Sequence, residues 1–133
     1  MGYSNVKRES TMKTYIGTDI IEVERIEKAL NDEKFTLRVY TDNEVRYCEG
    51  KSDKVKCQHY AARFAGKEAV YKAISPFLKN KYDIGWKNIE ILNDENGRPY
   101  VNFIGVEIKN IQVDVSLSHI NDCATATAIA TVD

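Results

Sequence analysis

The stretch from Val55 to Ile74 constrains this chain most, because it is the longest run of high helix propensity and whatever follows must pack along it. It holds few β-branched residues, sets Tyr60, Phe64, Ala65, Ala69 and Ala73 near helical spacing, and runs into Pro76, which prevents continuation. Beyond it the pattern changes to a period near two. Asn88 to Leu92, Tyr100 to Ile104, Gln112 to Ser118 and Ala124 to Val132 read as strands, and Asn96-Gly97 marks a tight turn. Helices in the first half and strands in the second predict an α+β fold, a long helix packed on a largely antiparallel sheet, in place of a parallel βαβ repeat.

Smaller elements precede the long helix. Thr14 to Asp19 is β-prone, and Ile20, Val23, Ile26, Glu27 and Leu30 then fall at helical spacing, so a strand is expected to run straight into a helix. Asp19 followed by Glu22 is the pattern of a capping box, which puts Asp19 at the strand end with a plain structural role. Thr41-Asp42-Asn43-Glu44 opens another helix in the same way, with Val45 and Cys48 as its apolar positions, before a polar loop from Glu49 to Lys54. Residues 1–13 read as a frayed extension, leaving 14–133 as one domain.

Composition narrows the function classes. Hydrophobic residues at 43% and charged residues at 29% argue against a disordered, fibrous or membrane protein. Lys+Arg at 19 nearly balances Asp+Glu at 20, which leaves no global basic field for nucleic acid, although a local patch can hold a phosphate. The first residues lack the apolar stretch of a secretory signal, no transmembrane run follows, and Val6 stands where N-myristoylation requires Ser or Thr. Cys48, Cys57 and Cys123 show neither CxxC spacing nor a partnering histidine cluster, so a cytoplasmic location is expected.

Three places carry candidate chemistry. Glu68 and Lys72, four apart on the long helix, share one face with Lys67 one step round. Taken alone such a pair is a surface ion pair, but Ala61, Ala62, Ala65, Gly66, Ala69 and Ala73 let a backbone or a bulky ligand approach this helix. Gly17-Thr18-Asp19 offers a carboxylate that, with Glu68 and phosphate oxygens, suits a hard cation, and two acids with a nearby lysine suit phosphoryl chemistry. A Walker loop is absent. His119 ends the strand that begins at Gln112, where it can emerge at a sheet edge; a Ser118, His119, Asp122 triad is excluded, because adjacent residues on a strand point to opposite faces.

Taken together these segments resemble a known family. Ile16-Gly17-Thr18-Asp19-Ile20-Ile21-Glu22-Val23-Glu24-Arg25-Ile26 resembles the opening motif of holo-acyl-carrier-protein synthases, the short trimeric type of 4'-phosphopantetheinyl transferase. Arg63-Phe64-Ala65-Gly66-Lys67-Glu68-Ala69-Val70-Tyr71-Lys72-Ala73 is similar to the family's F-x-x-K-E-A-x-x-K helix, and Asn96 to Tyr100 and Val115 to His119 to its later hairpin and terminal strand. The resemblance implies that Asp19 and Glu68 hold Mg²⁺, which bridges to the pyrophosphate of coenzyme A, with Lys72 neutralising phosphate charge. It implies that Arg63, Lys67 and His119 contact coenzyme A and that Arg25 meets an acidic acyl-carrier protein. A serine of that partner would attack the β-phosphorus and expel adenosine 3',5'-bisphosphate, with Glu68 or a metal-bound water taking the proton. It further implies a homotrimer with shared sites. Gly66 departs from the Ala or Ser common in the family and is expected to loosen the helix by on the order of 1 kcal/mol. The rival readings are a non-catalytic coenzyme A or carrier-protein binding module of the same fold, and a small interaction protein in which Asp19 is only a cap.

Overall fold

In a computed structural model that describes residues 12–133, the chain opens with β1 (Lys13–Glu22) and three short helices, α1 (Val23–Ala29), α2 (Glu33–Val39) and α3 (Asp42–Glu49). The long helix α4 (Asp53–Ile74) follows, then β2 (Ile89–Asn93), β3 (Pro99–Phe103), β4 (Ile111–His119) and β5 (Cys123–Val132). Short 3-10 turns at Ser75–Phe77 and Trp86–Asn88 bracket the connection from α4 to β2, and Pro76 lies in the first of them, where it ends the helix. The expected α+β architecture is present, with its antiparallel pairing divided between two sheets, β1-β5-β4 and β2-β3. Most of the expected frayed extension lies outside the described residues. Lys13, assigned to it, instead opens β1 opposite Val132.

Local chemistry sets several boundaries. Thr41 caps α3 through a reciprocal capping box with Glu44, as its sequence predicts. Asp32 caps α2, a helix the sequence reading passed over, by accepting from the Lys34 amide. At the β2-β3 hairpin, Asp94 Oδ1 accepts from the amides of Asn96 and Arg98, and Gly97 takes the positive φ that the turn requires.

Asp19 is a correction. It is neither a helix cap nor the end of a strand: β1 continues to Glu22, and Asp19 pairs with Ala126 inside the ladder. Continuous antiparallel pairing from Lys13 to Glu22 with β5 satisfies the backbone along the whole strand, and this outweighs a local capping pattern.

The core lies where α4 crosses the larger sheet. Ala65, Ala69 and Ala73 face Ala126, Ala128 and Ala130 of β5, and small side chains on both sides bring helix and sheet close together. A second cluster joins Val23 and Ile26 of α1 and Val39, Tyr40 and Cys48 to the N-terminal half of α4. Gly17 marks the closest approach. A Cβ there would overlap the Ala69 carbonyl oxygen, so β1 can lie against α4 only with hydrogen at this position. The opposite face of the sheet is uncovered and carries Ile16, Ile20 and Ile129 among threonines and serines, with Ile16 paired directly to Ile129.

Candidate active site

Because side chains alternate along a strand, Asp19 shares the α4-facing side of β1 with Gly17. The close approach at Gly17 therefore delivers Asp19 to the flank of α4. Lys72 meets it there: its ammonium donates to the Thr18 carbonyl at 2.9 Å and lies 3.4 Å from Asp19 Oδ1. Glu68, one turn earlier on the same face, is half-buried. Burial pushes its carboxyl above the ordinary Glu value, and the Asp19 carboxylate adds to the rise while the Lys72 ammonium opposes it. Two carboxylates that feel each other, with a cation beside them and open space in front, form a site that can take a hard divalent ion and a polyanion together. Among the described residues no group of three or more His, Cys, Asp or Glu gathers to hold a metal, so at this site two carboxylates would be the whole protein contribution.

Next to Glu68 opens a pocket of about 220 Å³ walled by Tyr71, Ile84, Trp86 and Ile89, with Lys81 at its rim. It is mostly apolar. The stem of Lys67 also lines it, but the Lys67 ammonium is not available to a ligand. That side chain is completely buried, 2.7 Å from Glu44 Oε1, and donates to the carbonyls of Trp86 and Ile89. The expected contact of Lys67 with coenzyme A therefore cannot run through its ammonium, whose three protons are already used inside the protein.

Arg63 and His119 come together, but away from Glu68. Arg63 precedes Glu68 by five positions, about 140° round the helix at roughly 100° per residue. Its guanidinium stacks 4.1 Å from the Tyr47 ring centroid and donates to Asn93 Oδ1, while its buried Nε has no partner. His119, exposed at the end of the edge strand β4, packs its ring 5.1 Å from that of His59, which in turn meets Tyr47 at 5.7 Å. Burial and the Arg63 charge push His59 down to about 4, so it is neutral at neutral pH. Arg25 stands exposed on α1, in neither group.

Glu44, Tyr47, His59 and Trp86 were missed as site residues in the sequence. The spacing of His59 and Arg63, one helical turn apart, was a signal for that pair. Glu44 had none, because its contacts with Lys67 and with the Ile91 amide span far-separated parts of the chain.

Residues 15–131 match the model of the 4'-phosphopantetheinyl transferase superfamily. The chain belongs to this superfamily. A holo-[acyl-carrier-protein] synthase of Aquifex aeolicus is 45% identical over 120 residues, covering 85% of this chain and 94% of that protein. One from Ruminiclostridium cellulolyticum is 41% identical over 126 residues, 89% of this chain and 92% of the relative. Among solved structures, a holo-(acyl-carrier-protein) synthase of Bacillus anthracis in complex with CoA (3',5'-ADP) superposes with a TM-score of 0.77 at 32% identity, over 92% of this chain and all of the other. The Helicobacter pylori enzyme in complex with coenzyme A gives 0.73 at 28% identity, over 86% and 98%. In this transferase the α4 motif places Glu68 and Lys72 outward toward Asp19 and Lys67 inward toward Glu44.

Proposed function

We propose that this chain transfers 4'-phosphopantetheine from coenzyme A to a serine of an acyl-carrier protein, in a homotrimer whose sites are shared between subunits. The observation that carries the reading is the convergence of Asp19 and Glu68 beside Lys72, in a member of a superfamily named for this transfer. Asp19 and Glu68 would hold magnesium, which would supply neutralisation of the pyrophosphate charge.

The chain's own residues do the remaining work. Lys72, held by the Thr18 carbonyl, presents its ammonium next to Asp19, where it balances phosphate charge. The serine oxygen bonds to the β-phosphorus, the bond from that phosphorus to the bridging oxygen breaks, and adenosine 3',5'-bisphosphate leaves with that oxygen. The serine proton passes to a Glu68 carboxylate oxygen, whose raised affinity for protons suits a general base. Arg25 on the outer surface of α1 meets the acidic carrier.

The separation of the two clusters supports the sharing of sites. In one chain the exposed His119 and the buried Arg63 lie away from Glu68, so a coenzyme A molecule that reaches both His119 and Glu68 would span two subunits. The uncovered sheet face with Ile16, Ile20 and Ile129 offers an apolar surface for the neighbouring copy. Cys48, Cys57 and Cys123 are all free thiols, which suits work in the cytoplasm.

The test is the intact mass of an apo acyl-carrier protein after incubation with the chain, coenzyme A and Mg²⁺. A gain of one phosphopantetheine that EDTA and Glu68→Ala each abolish supports the transferase and its metal together. No gain across several carriers, with coenzyme A still bound, sinks catalysis in favour of a binding module.

A further inference from the structure

Lys67 sits at the centre of a buried polar brace that the catalytic reading leaves unused. Its ammonium joins three elements: Glu44 of α3, the carbonyl of Trp86 in the 3-10 turn, and the carbonyl of Ile89 at the start of β2. Glu44, itself without exposure, also accepts from the amides of Thr41 and Ile91. Trp86 and Ile89, the residues whose carbonyls Lys67 holds, wall the pocket beside Glu68, and Phe64 stacks on Trp86 at 4.8 Å from the neighbouring turn of α4. Apolar packing of Ile84, Trp86 and Ile89 against α4 seats this segment, and the two carbonyl bonds from Lys67 fix the backbone of Trp86 and Ile89, while Gly85 and Asn88 bond to each other and Asn88 to Ile104.

We infer that Lys67 is a positioning residue for the donor: paired with Glu44, it holds the Trp86-Ile89 wall directly by its carbonyls at a fixed distance from Glu68, and thereby sets the affinity for the pantetheine arm. The inference rests on the coenzyme A reading above. The arm is an uncharged chain of amides and methylenes, which an apolar pocket walled by aromatic rings suits, whereas the nucleotide half carries the charge and needs cations. Lys67 has no free proton to offer a phosphate, so its loss acts on the arm and not on the nucleotide.

Substituting Lys67 alone leaves Glu44 buried and unpaired, which destabilises any fold. The informative variant is therefore Lys67→Met with Glu44→Gln, which removes both charges and keeps one carbonyl oxygen for the Thr41 amide, while the bond from the Ile91 amide is lost. Calorimetry with coenzyme A and with adenosine 3',5'-bisphosphate, the same nucleotide without the arm, reads the two halves separately. The expected result is about tenfold weaker coenzyme A binding, with bisphosphate binding within about twofold of the parent. KM for coenzyme A rises with it, while kcat changes less. Trp86 is the only tryptophan, so its emission reports the wall directly, and a red shift is expected in the double variant. If that variant does not fold, Glu44→Gln alone keeps the side-chain shape and is expected to weaken coenzyme A binding by about threefold in the same selective way. Equal loss for both ligands, or no loss at unchanged emission, overturns the positioning role while the transferase stands. A parent chain that binds neither ligand overturns the coenzyme A reading and this inference together.

Discussion

Gly17 of β1 lies so close to Ala69 of α4 that a Cβ on Gly17 would overlap the Ala69 carbonyl oxygen and come within 2.8 Å of the Ala73 amide nitrogen. Both obstacles are helix backbone, which cannot step aside without moving α4 off the sheet. Gly17→Ala is expected to cost about 3 kcal/mol and to weaken the Lys72 contact with Asp19. Gly66→Ala differs in kind: its Cβ meets the tips of the Ile91 and Leu117 side chains, which can turn, and it regains about 1 kcal/mol of helix propensity. Its net effect is expected within about 1 kcal/mol of zero, since packing strain and propensity oppose each other. Urea unfolding of the two variants checks this, and equal destabilisation would contradict it.

The Glu68 carboxyl holds its proton to higher pH than the ordinary 4.5, through burial first and Asp19 second. In the window between those values the folded chain binds more protons than the unfolded one, so Glu68 makes stability fall as pH rises through it. The same protonation removes an oxygen ligand, so without Mg²⁺ the raised Glu68 carboxyl opposes metal binding at acid pH, and bound Mg²⁺ is expected to draw its midpoint down. Carboxyl NMR of the labelled chain should show the Glu68 midpoint move down in Asp19→Asn but stop short of the ordinary value, because burial remains. A midpoint unmoved by Asp19→Asn would separate the two carboxylates electrostatically.

His59 works in the opposite sense. Its folded value of about 4 lies below the ordinary 6.5, so between these the unfolded chain binds more protons and stability is lost as pH falls. Thermal midpoints are expected to drop from pH 7 to pH 5, and His59→Asn should flatten that slope relative to the parent. An unchanged slope would show that the ring titrates in place.

The uncovered sheet face makes a prediction about assembly. Ile16→Lys with Ile20→Lys places charges on positions that are 64% and 67% exposed in one chain, so the subunit should fold normally. In a trimer packed through this face the same lysines are buried without partners. Sedimentation is expected to give a trimer for the parent and a monomer for the variant, with transfer lost alongside. A fully active parent monomer would remove the case for shared sites.

Much of the molecule was legible in local sequence, because helix propensity, hydrophobic period and turn chemistry act over a few residues. Val55 to Ile74, the four later strands, the Thr41-Glu44 box and the one-turn spacing of Glu68 and Lys72 all follow from such short-range rules. Tertiary structure decided the rest, through contacts between residues far apart along the chain. Asp19 looked like a cap until pairing with β5 kept β1 extended past it to Glu22. Lys67 looked like a partner of phosphate until Glu44 and two carbonyls from beyond the helix enclosed it. Arg63, His59 and His119 became one cluster only when the end of β4 reached α4. Spacing along a helix says which side chains share a face, but whether that face meets solvent or another buried charge depends on which distant segment covers it.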